Sequence, residues 1–179
     1  SGGFGLNATY KGFDMSMFFN FMYDFDVLNA NKIMLTTWAD NKENNFLMDI
    51  ASDKRWRNFD DMGNEIRYSP EVLAEFNKNA TMWNPTSIGR PICMSYAVED
   101  GSFLRLNSAT LGYTLPSVWT KKVGLSKVRF YVSGNNLFTL TGYSGYDPEV
   151  NIATGLTPNI DYNRYPRSRT YTFGAQLTF

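Results

Sequence analysis

The last ten residues, Thr-Tyr-Thr-Phe-Gly-Ala-Gln-Leu-Thr-Phe (170–179), alternate between two kinds of side chain. One parity is apolar or aromatic, and the other holds threonine, glycine and glutamine. Such period-2 alternation is typical of a β-strand with one apolar face. Ten residues are enough for one tilted crossing of a hydrocarbon core about 30 Å thick. We therefore predict a strand that closes an outer-membrane β-barrel, with four membrane-facing residues: Tyr171, Phe173, Leu177 and Phe179.

Four earlier stretches show the same alternation, which extends the prediction to an all-β, antiparallel arrangement of five strands. Lys11-Gly12 is a tight-turn signal between the first two strands. Gly134 marks a predicted bulge or bend within the fourth. The predicted strands cover residues 4–11, 13–23, 103–115, 127–141 and 170–179.

The connections between these strands alternate between short and long. The links at 11–12 and 116–126 are short, whereas those at 24–102 and 142–169 are long. Bacterial outer-membrane barrels have short periplasmic turns and longer extracellular loops, so we predict that both long connections are extracellular. Within the first, Ser69-Pro70-Glu71 predicts a helix that runs to about Asn79, and a shorter helix is predicted near 44–52.

Five strands are too few to close a membrane barrel, because the smallest closed ones have about eight. An open edge in lipid would leave backbone groups unpaired at several kcal/mol each. We therefore expect this chain to be the C-terminal piece of a larger barrel, or to pair with another chain that completes it.

The composition argues against several classes of function. The 179 residues carry 17 basic and 17 acidic side chains, so no basic excess indicates a nucleic-acid partner. Histidine is absent, and the single cysteine, Cys93, cannot form an intrachain disulfide or a multi-cysteine metal site. A catalytic carboxylate pair could be sought among Asp53, Asp60 and Asp61, but no nucleophile accompanies them. We predict no catalytic residue, no metal and no cofactor, and hence no enzyme.

Six segments, in order along the chain, resemble the C-terminal end of the SusC/RagA-type TonB-dependent outer-membrane transporters of Bacteroidetes. They cover nearly the whole chain, with residues 30–98 the least matched. The segments are Tyr-Lys-Gly-Phe-Asp-Met-Ser (10–16), Glu-Asp-Gly-Ser-Phe-Leu-Arg-Leu (99–106), Ala-Thr-Leu-Gly-Tyr-Thr-Leu-Pro (109–116), Ser-Gly-Asn-Asn-Leu-Phe-Thr-Leu-Thr-Gly-Tyr (133–143), Gly-Tyr-Asp-Pro-Glu-Val (145–150) and Tyr-Pro-Arg-Ser-Arg-Thr-Tyr-Thr-Phe-Gly (165–174).

The resemblance implies a multi-pass protein of the cell outer membrane with twenty-two strands, of which these would be the last five. It implies a plug domain and a TonB box, neither of which is in this sequence, and energisation by TonB-ExbB-ExbD through that missing part. The remaining barrel strands and outer-membrane lipid would surround this segment. Members work with a SusD-like surface lipoprotein and import glycans or, in some cases, peptides.

Several loop residues are candidates for contact with a substrate. Aromatic rings stack well on the C–H faces of sugars, although the same rings could instead pack the long loops together or against the lipoprotein lid. The candidates are Trp38, Trp56, Trp83, Tyr143 and Tyr146. Asp147-Pro148-Glu149 favours a turn stabilised by Asp147 over a cation site, since two acids are too few for a Ca²⁺ shell. Three arginines could line the lumen or bind an anionic substrate, but pairing with neighbouring acids is their expected role; they are Arg164, Arg167 and Arg169.

A carbohydrate-binding β-sandwich without transport is an alternative that would also use loop tryptophans. It predicts about seven shorter strands with turn signals every 8–12 residues. The few, long strands and uneven gaps of this chain favour the barrel.

Overall fold

The computed structural model describes residues 1–37, 45–50, 54–85, 92–149 and 159–179. The chain divides into two compact units. The first unit comprises Ser1–Val27, Glu99–Asn159 and Arg164–Phe179, and the second comprises Leu28–Val98 and Ile160–Asn163.

The described residues form eight strands and three α-helices. The strands are β1 (Gly2–Tyr10), β2 (Phe13–Met22), β3 (Asp26–Asn29), β4 (Val98–Asp100), β5 (Phe103–Thr114), β6 (Lys127–Thr141), β7 (Ile160–Asp161) and β8 (Thr170–Thr178). The helices are α1 (Ala30–Thr36), α2 (Pro70–Asn77) and α3 (Ser117–Thr120). None of the helices in this part of the chain has the length and apolarity needed to cross a bilayer.

The first unit is built on one antiparallel sheet with the strand order β1-β2-β5-β6-β8. Its five strands lie within two residues of the predicted ones, because the alternation of side chains marks both the strands and their faces. The described residues form this sheet of long strands and a three-stranded sheet of short ones, β4-β3-β7, rather than about seven short strands of similar length. This difference in strand length argues against the β-sandwich.

The turn between β1 and β2 follows from two backbone angles. Lys11 has φ 45° and Gly12 has φ 88°, so both central residues are in the left-handed region that a type I′ turn requires. Glycine takes this conformation without steric cost. The two-residue turn fixes the hairpin register, with Tyr10 opposite Phe13.

One face of the sheet is lined by apolar side chains that pair across the strands. Phe4 stacks on Phe19 with ring centroids 4.9 Å apart, and the Phe13 ring centroid lies 4.5 Å from that of Tyr113. Large apolar side chains on all five strands of this face remain exposed; examples are Leu6, Phe13, Leu111, Phe130 and Phe173. The sheet therefore presents an unburied apolar band, which is unusual for a soluble protein of this size.

The register shifts halfway along the sheet in two neighbouring pairings, β2–β5 and β5–β6. Leu106 of β5 pairs with Phe138, whereas Ser108 pairs with Asn135, so β6 carries an extra residue between these positions. Asn136 takes a left-handed backbone with φ 53°. The predicted bulge is therefore present, two residues beyond Gly134.

The second unit contains elements that the sequence pattern marks less clearly. Helix α2 confirms the prediction made from Ser69-Pro70-Glu71. The short helix predicted near 44–52 is, in its described part, a single 3₁₀ turn at Met48–Ile50, and residues 45–47 are not helical. Helix α1 was not predicted; its cap is the Asn29 side chain, which accepts a bond of 3.2 Å from the Lys32 amide.

Candidate functional site

The described part of the second unit has an open groove of about 520 Å³ lined by two chain segments. The segments meet through a parallel bridge between Arg55 and Met82. The Trp56 amide donates to the Met82 carbonyl at 2.7 Å, and the Met82 amide donates to the Lys54 carbonyl at 2.9 Å. The lining residues are Trp56, Asn58, Ala80, Thr81, Met82, Trp83 and Asn84.

The last residue of α2 holds the first of these segments in place. The Asn77 side-chain oxygen accepts from the Arg57 amide at 2.6 Å. Its side-chain nitrogen donates to the Arg57 carbonyl at 2.9 Å and to the Leu73 carbonyl at 2.8 Å. Because Asn77 is buried and uses both ends of its amide, the backbone beside Trp56 is fixed to the helix.

The two groove tryptophans differ in exposure. Trp56 is 41% exposed, so much of its ring is open to a ligand. Trp83 is half-buried and packs edge-to-face on Tyr96 at a centroid distance of 5.3 Å. The Tyr96 hydroxyl in turn donates to Asp49 at 2.6 Å. Trp83 therefore stabilises the wall of the groove, whereas the exposed ring of Trp56 is a flat surface on which a ligand can stack.

The chemistry of the groove is neutral. Its lining combines an indole ring with the amides of Asn58 and Asn84 and the hydroxyl of Thr81. Such groups stack on an apolar face and exchange hydrogen bonds with hydroxyl or amide groups, but they do not transfer protons at neutral pH. The arrangement fits binding and not acid–base catalysis.

The predicted loop aromatics do not all meet at this groove. It contains Trp56 and Trp83, and Trp38 lies outside the described residues. Tyr143 and Tyr146 belong to the first unit, where Tyr143 is buried and Tyr146 is 82% exposed. The polar groove residues Asn58, Thr81 and Asn84 were not predicted, since only the bridge between distant segments brings them together.

In the first unit, a buried charge cluster attaches the start of the second long loop to β5. The Arg105 side chain is 2% exposed and donates to the Asp147 carboxylate. Arg105 Nε also lies 3.0 Å from Glu149 Oε2, and Arg167 lies 3.4 Å from the same oxygen. The predicted pairing of Arg167 with an acid is thus confirmed.

Asp147 has a second role within its own loop. Its carboxylate accepts from the Glu149 amide at 3.0 Å, which confirms the predicted turn. Burial alone would raise the pKa of Asp147, but the hydrogen bonds from Arg105 and from the Glu149 amide outweigh it and lower that pKa. Asp147 is therefore an ionised anchor at neutral pH.

The polar face of the sheet carries a second ion pair, between β2 and β6, which lie on either side of β5. Arg129 of β6 donates through Nε to Asp14 of β2 at 2.9 Å, and its terminal nitrogen forms a further ion pair with that carboxylate. The pair crosses over Gly112 of β5. A Cβ at Gly112 would lie 2.4 Å from Arg129 and 2.6 Å from Asp14. A side chain at position 112 would therefore force this ion pair to shift.

No family model matches the chain. It is, however, 34% identical to TonB-dependent receptor P3 of Formosa agariphila over 99% of its own length. It is also 38% identical to TonB-dependent receptor SusC of Bacteroides thetaiotaomicron over 47% of its length. A solved structure of the RagAB peptide importer in an open-open state matches 99% of the chain with a TM-score of 0.72 and 26% identity.

The chain belongs to the SusC/RagA-type TonB-dependent receptors. It covers 16% of the Formosa receptor, 8% of SusC and 17% of the RagAB chain, so it spans about a sixth or less of the length of these relatives. The closed-closed RagAB structure, at 24% identity and a TM-score of 0.74, agrees with the fold. The five-stranded sheet is thus a segment of a transmembrane antiparallel β-barrel, and the relatives are named as receptors or importers rather than enzymes.

Proposed function

We propose that this receptor segment forms the last five strands of a twenty-two-stranded importer in the outer membrane. The observation that carries the proposal is the exposed apolar band of the sheet, in a chain whose full length aligns with a TonB-dependent receptor. Lipid would cover that band, and the opposite face would line the lumen. The short connections would then be periplasmic, and the connections 24–102 and 142–169 extracellular.

The membrane-facing residues proposed on β8, and Phe179 directly after it, are all exposed. Phe173 and Phe179 are 80% and 89% exposed, and Tyr171 and Leu177 are more than half exposed. All four share the parity that continues the apolar band from β6, where Val132 pairs with Phe173. Hydrocarbon contact would remove this area from water and help to hold the strand in the bilayer.

The proposed partners follow from the family. A SusD-like lipoprotein would cover the extracellular opening, and the TonB-ExbB-ExbD complex would act on a plug domain outside this segment. In that scheme this segment supplies wall and loops rather than the moving parts. The buried Arg105–Asp147 pair supports a fixed position for the start of the second loop, since breaking a buried ion pair is costly.

We propose oligosaccharides as the substrate class, with peptides as the second candidate. The groove around Trp56 favours the first, because its flat ring and neutral amides suit a sugar face and its hydroxyl groups. The second candidate is favoured by the RagAB structures, which are described as those of a peptide importer.

Uptake by the full receptor and its lipoprotein tests both candidates. A receptor deletion strain would be supplied with mixed oligosaccharides or mixed peptides, and depletion from the medium would be followed by mass spectrometry. We expect wild-type receptor to restore oligosaccharide depletion. Depletion of peptides alone would show that peptides, and not oligosaccharides, are the substrate class. Depletion of neither would overturn the importer proposal.

The groove itself is tested by Trp56→Ala. Loss of the stacking surface should weaken oligosaccharide binding about five- to tenfold, as measured by calorimetry on the purified complex. Met62→Ala is the matched control, because Met62 is 89% exposed in the same unit and does not line the groove. Equal affinities for the two variants would contradict a role of Trp56 in binding.

A further inference from the structure

The connection between β5 and β6 presents apolar side chains to its surroundings. It folds into α3 and a following 3₁₀ turn, Lys121–Val123. Val118, Trp119 and Val123 are 68%, 61% and 71% exposed. Three large apolar side chains exposed within six residues are more than a solvated turn requires.

This connection is held firmly against the ends of the strands. Thr120 is buried, and its carbonyl accepts from the Leu125 amide at 3.0 Å. The Leu115 amide donates to the Val128 carbonyl at 2.9 Å, and the Ser126 amide donates to the Thr178 carbonyl at 2.7 Å. Because the backbone is tied at both ends, the exposed side chains keep a fixed position relative to the sheet.

Positive charge collects at the same end of the sheet. The Thr114 amide donates to the Gly12 carbonyl at 2.8 Å, which places the β1–β2 turn beside the β5–β6 connection. These turns and their flanks carry four lysines and no acidic residue over 8–13 and 115–128, although the whole chain is neutral. None of the four forms an ion pair within the described residues. They are Lys11, Lys121, Lys122 and Lys127.

We define Lys11, Lys121 and Lys122, together with Val118, Trp119 and Val123, as the basic rim, and we propose that it binds the headgroups of anionic phospholipids. Lys127 is not part of the rim, because it pairs with Thr178 on the polar face of the sheet. The rim continues the apolar band of the sheet, which ends in the exposed rings of Tyr10 and Phe13. Tryptophan favours the membrane–water interface, and lysines near it attract lipid phosphates. The rim would therefore meet the leaflet at the short-turn end with both apolar and charged groups.

The proposal rests on the transmembrane position of the strands, but not on what the receptor imports. A membrane is favoured over a protein partner because the rim is continuous with surface that already faces hydrocarbon. Its charge is also complementary to a phosphate layer. Asp14 follows the first turn in the sequence and is already paired with Arg129. It therefore does little to neutralise the positive charge of the rim.

The test uses the full receptor in detergent, titrated with phosphatidylglycerol or with phosphatidylcholine, with bound lipid counted by native mass spectrometry. Each lysine should contribute about fivefold to the affinity for the anionic lipid, so Lys121→Gln with Lys122→Gln should weaken it by up to about 30-fold. Lys54→Gln with Lys78→Gln, two exposed lysines of the second unit, should leave it unchanged.

Two further measurements sharpen the outcome. Raising salt from about 0.1 M to 0.5 M should weaken phosphatidylglycerol binding of the wild type and leave the rim variant nearly unaffected. Trp119→Ser should release both lipids more easily, whereas Trp119→Phe should retain them. Equal phosphatidylglycerol affinity in the wild type and the rim variant would overturn the proposal. If the variant at the same time lost a bound periplasmic protein, the rim would be a protein-binding surface instead. Substrate uptake by the rim variant separates this result from a failure of the importer function.

Discussion

At the scale of single residues, the ion pair on the polar face of the sheet needs a position without a side chain between its two strands. Gly112 leaves the space through which Arg129 reaches Asp14 across an intervening strand. Its role is steric, because it is not among the glycines whose backbone has a positive φ. The alternation in residues 109–115 predicts a strand but does not say why glycine stands on its polar face.

We expect Gly112→Ala to destabilise the receptor by about 1–2 kcal/mol, since a methyl group would overlap the guanidinium and carboxylate. The measurement is the urea midpoint of the purified receptor in detergent. Gly5→Ala is the matched control, because a Cβ there would lie 3.6 Å from its nearest neighbour, an ordinary contact.

The cause of that loss is tested by removing the ion pair first. In a receptor with Asp14→Ala and Arg129→Ala, the methyl group added by Gly112→Ala has no overlapping partner, so this third change should cost little. Such non-additivity is expected for residues that share a contact. An equal loss in both backgrounds would show that the space around Gly112 is not set by the pair.

At the scale of elements, the first turn of the second long loop is anchored by charges at its base. Arg105 lies on β5 and Asp147 lies 42 positions further along, and both side chains are buried. Removing one member of a buried pair is costly, because the charge of the other member is then incompletely compensated. The anchor therefore fixes where the loop leaves the sheet.

We expect Asp147→Ala to destabilise this loop by about 3 kcal/mol, near the lower end for buried pairs, because Glu149 remains 3.0 Å from Arg105. Hydrogen exchange of residues 143–149 measures the opening of the loop. The double change Arg105→Met with Asp147→Leu should restore much of the protection, since it removes both charges and retains volume. Protection lower in the double variant than in Asp147→Ala would contradict this account.

The same anchor should depend on pH in a defined direction. The pKa of Asp147 is lowered in the folded protein, so the ionised carboxylate favours the folded state. That contribution is complete above the ordinary aspartate pKa of about 3.9 and is lost as pH falls through the lower folded value. The difference in urea midpoint between wild type and Asp147→Asn should be constant from about pH 8 to 5 and should shrink below about pH 4. A difference that vanishes already at about pH 6 would exclude Asp147 as its source.

The sequence predicts these elements unevenly, for physical reasons. Long strands with one apolar face carry period-2 alternation over many residues, so β5 and β6 can be predicted from the local sequence. Helix α2 is marked by the proline at its start. Helix α1 has seven residues, and β3 pairs in parallel with β7 about 130 positions away. Neither leaves a periodic signal, because tertiary pairing rather than local preference decides them.

The site residues show the same limit. Tryptophans can be noted in the loops from the sequence, yet the groove depends on a bridge between Arg55 and Met82. The turn at Asp147 was predictable because its partner, Glu149, is two residues away, whereas the pairing with Arg105 was not. Contacts between residues far apart in sequence need the sheet register before they can be assigned.

At the scale of the whole molecule, the sheet of the receptor segment has an apolar face and a polar face, which we propose to meet lipid and the lumen respectively. Adjacent residues on β8 sit on opposite faces: Phe173 pairs with Val132 in the apolar band, and Thr172 pairs with Ser133 on the polar face. Both are exposed in the segment, so burial within the protein does not distinguish them. Membrane insertion would distinguish them, because in the proposed orientation only the face of Phe173 meets hydrocarbon.

We therefore expect Phe173→Arg to impair assembly of the full receptor, since an arginine on the lipid face near the midplane costs about 2–4 kcal/mol. Thr172→Arg is the matched control: it adds the same side chain one residue away, but on the face proposed to line the lumen. The measurement is the amount of receptor in the outer-membrane fraction that keeps a compact, heat-modifiable mobility on a gel. Equal loss in both variants would mean that bulk or charge at this height, and not contact with lipid, limits assembly. Loss confined to Thr172→Arg would reverse the two faces, and with them the proposed membrane-facing positions on β8.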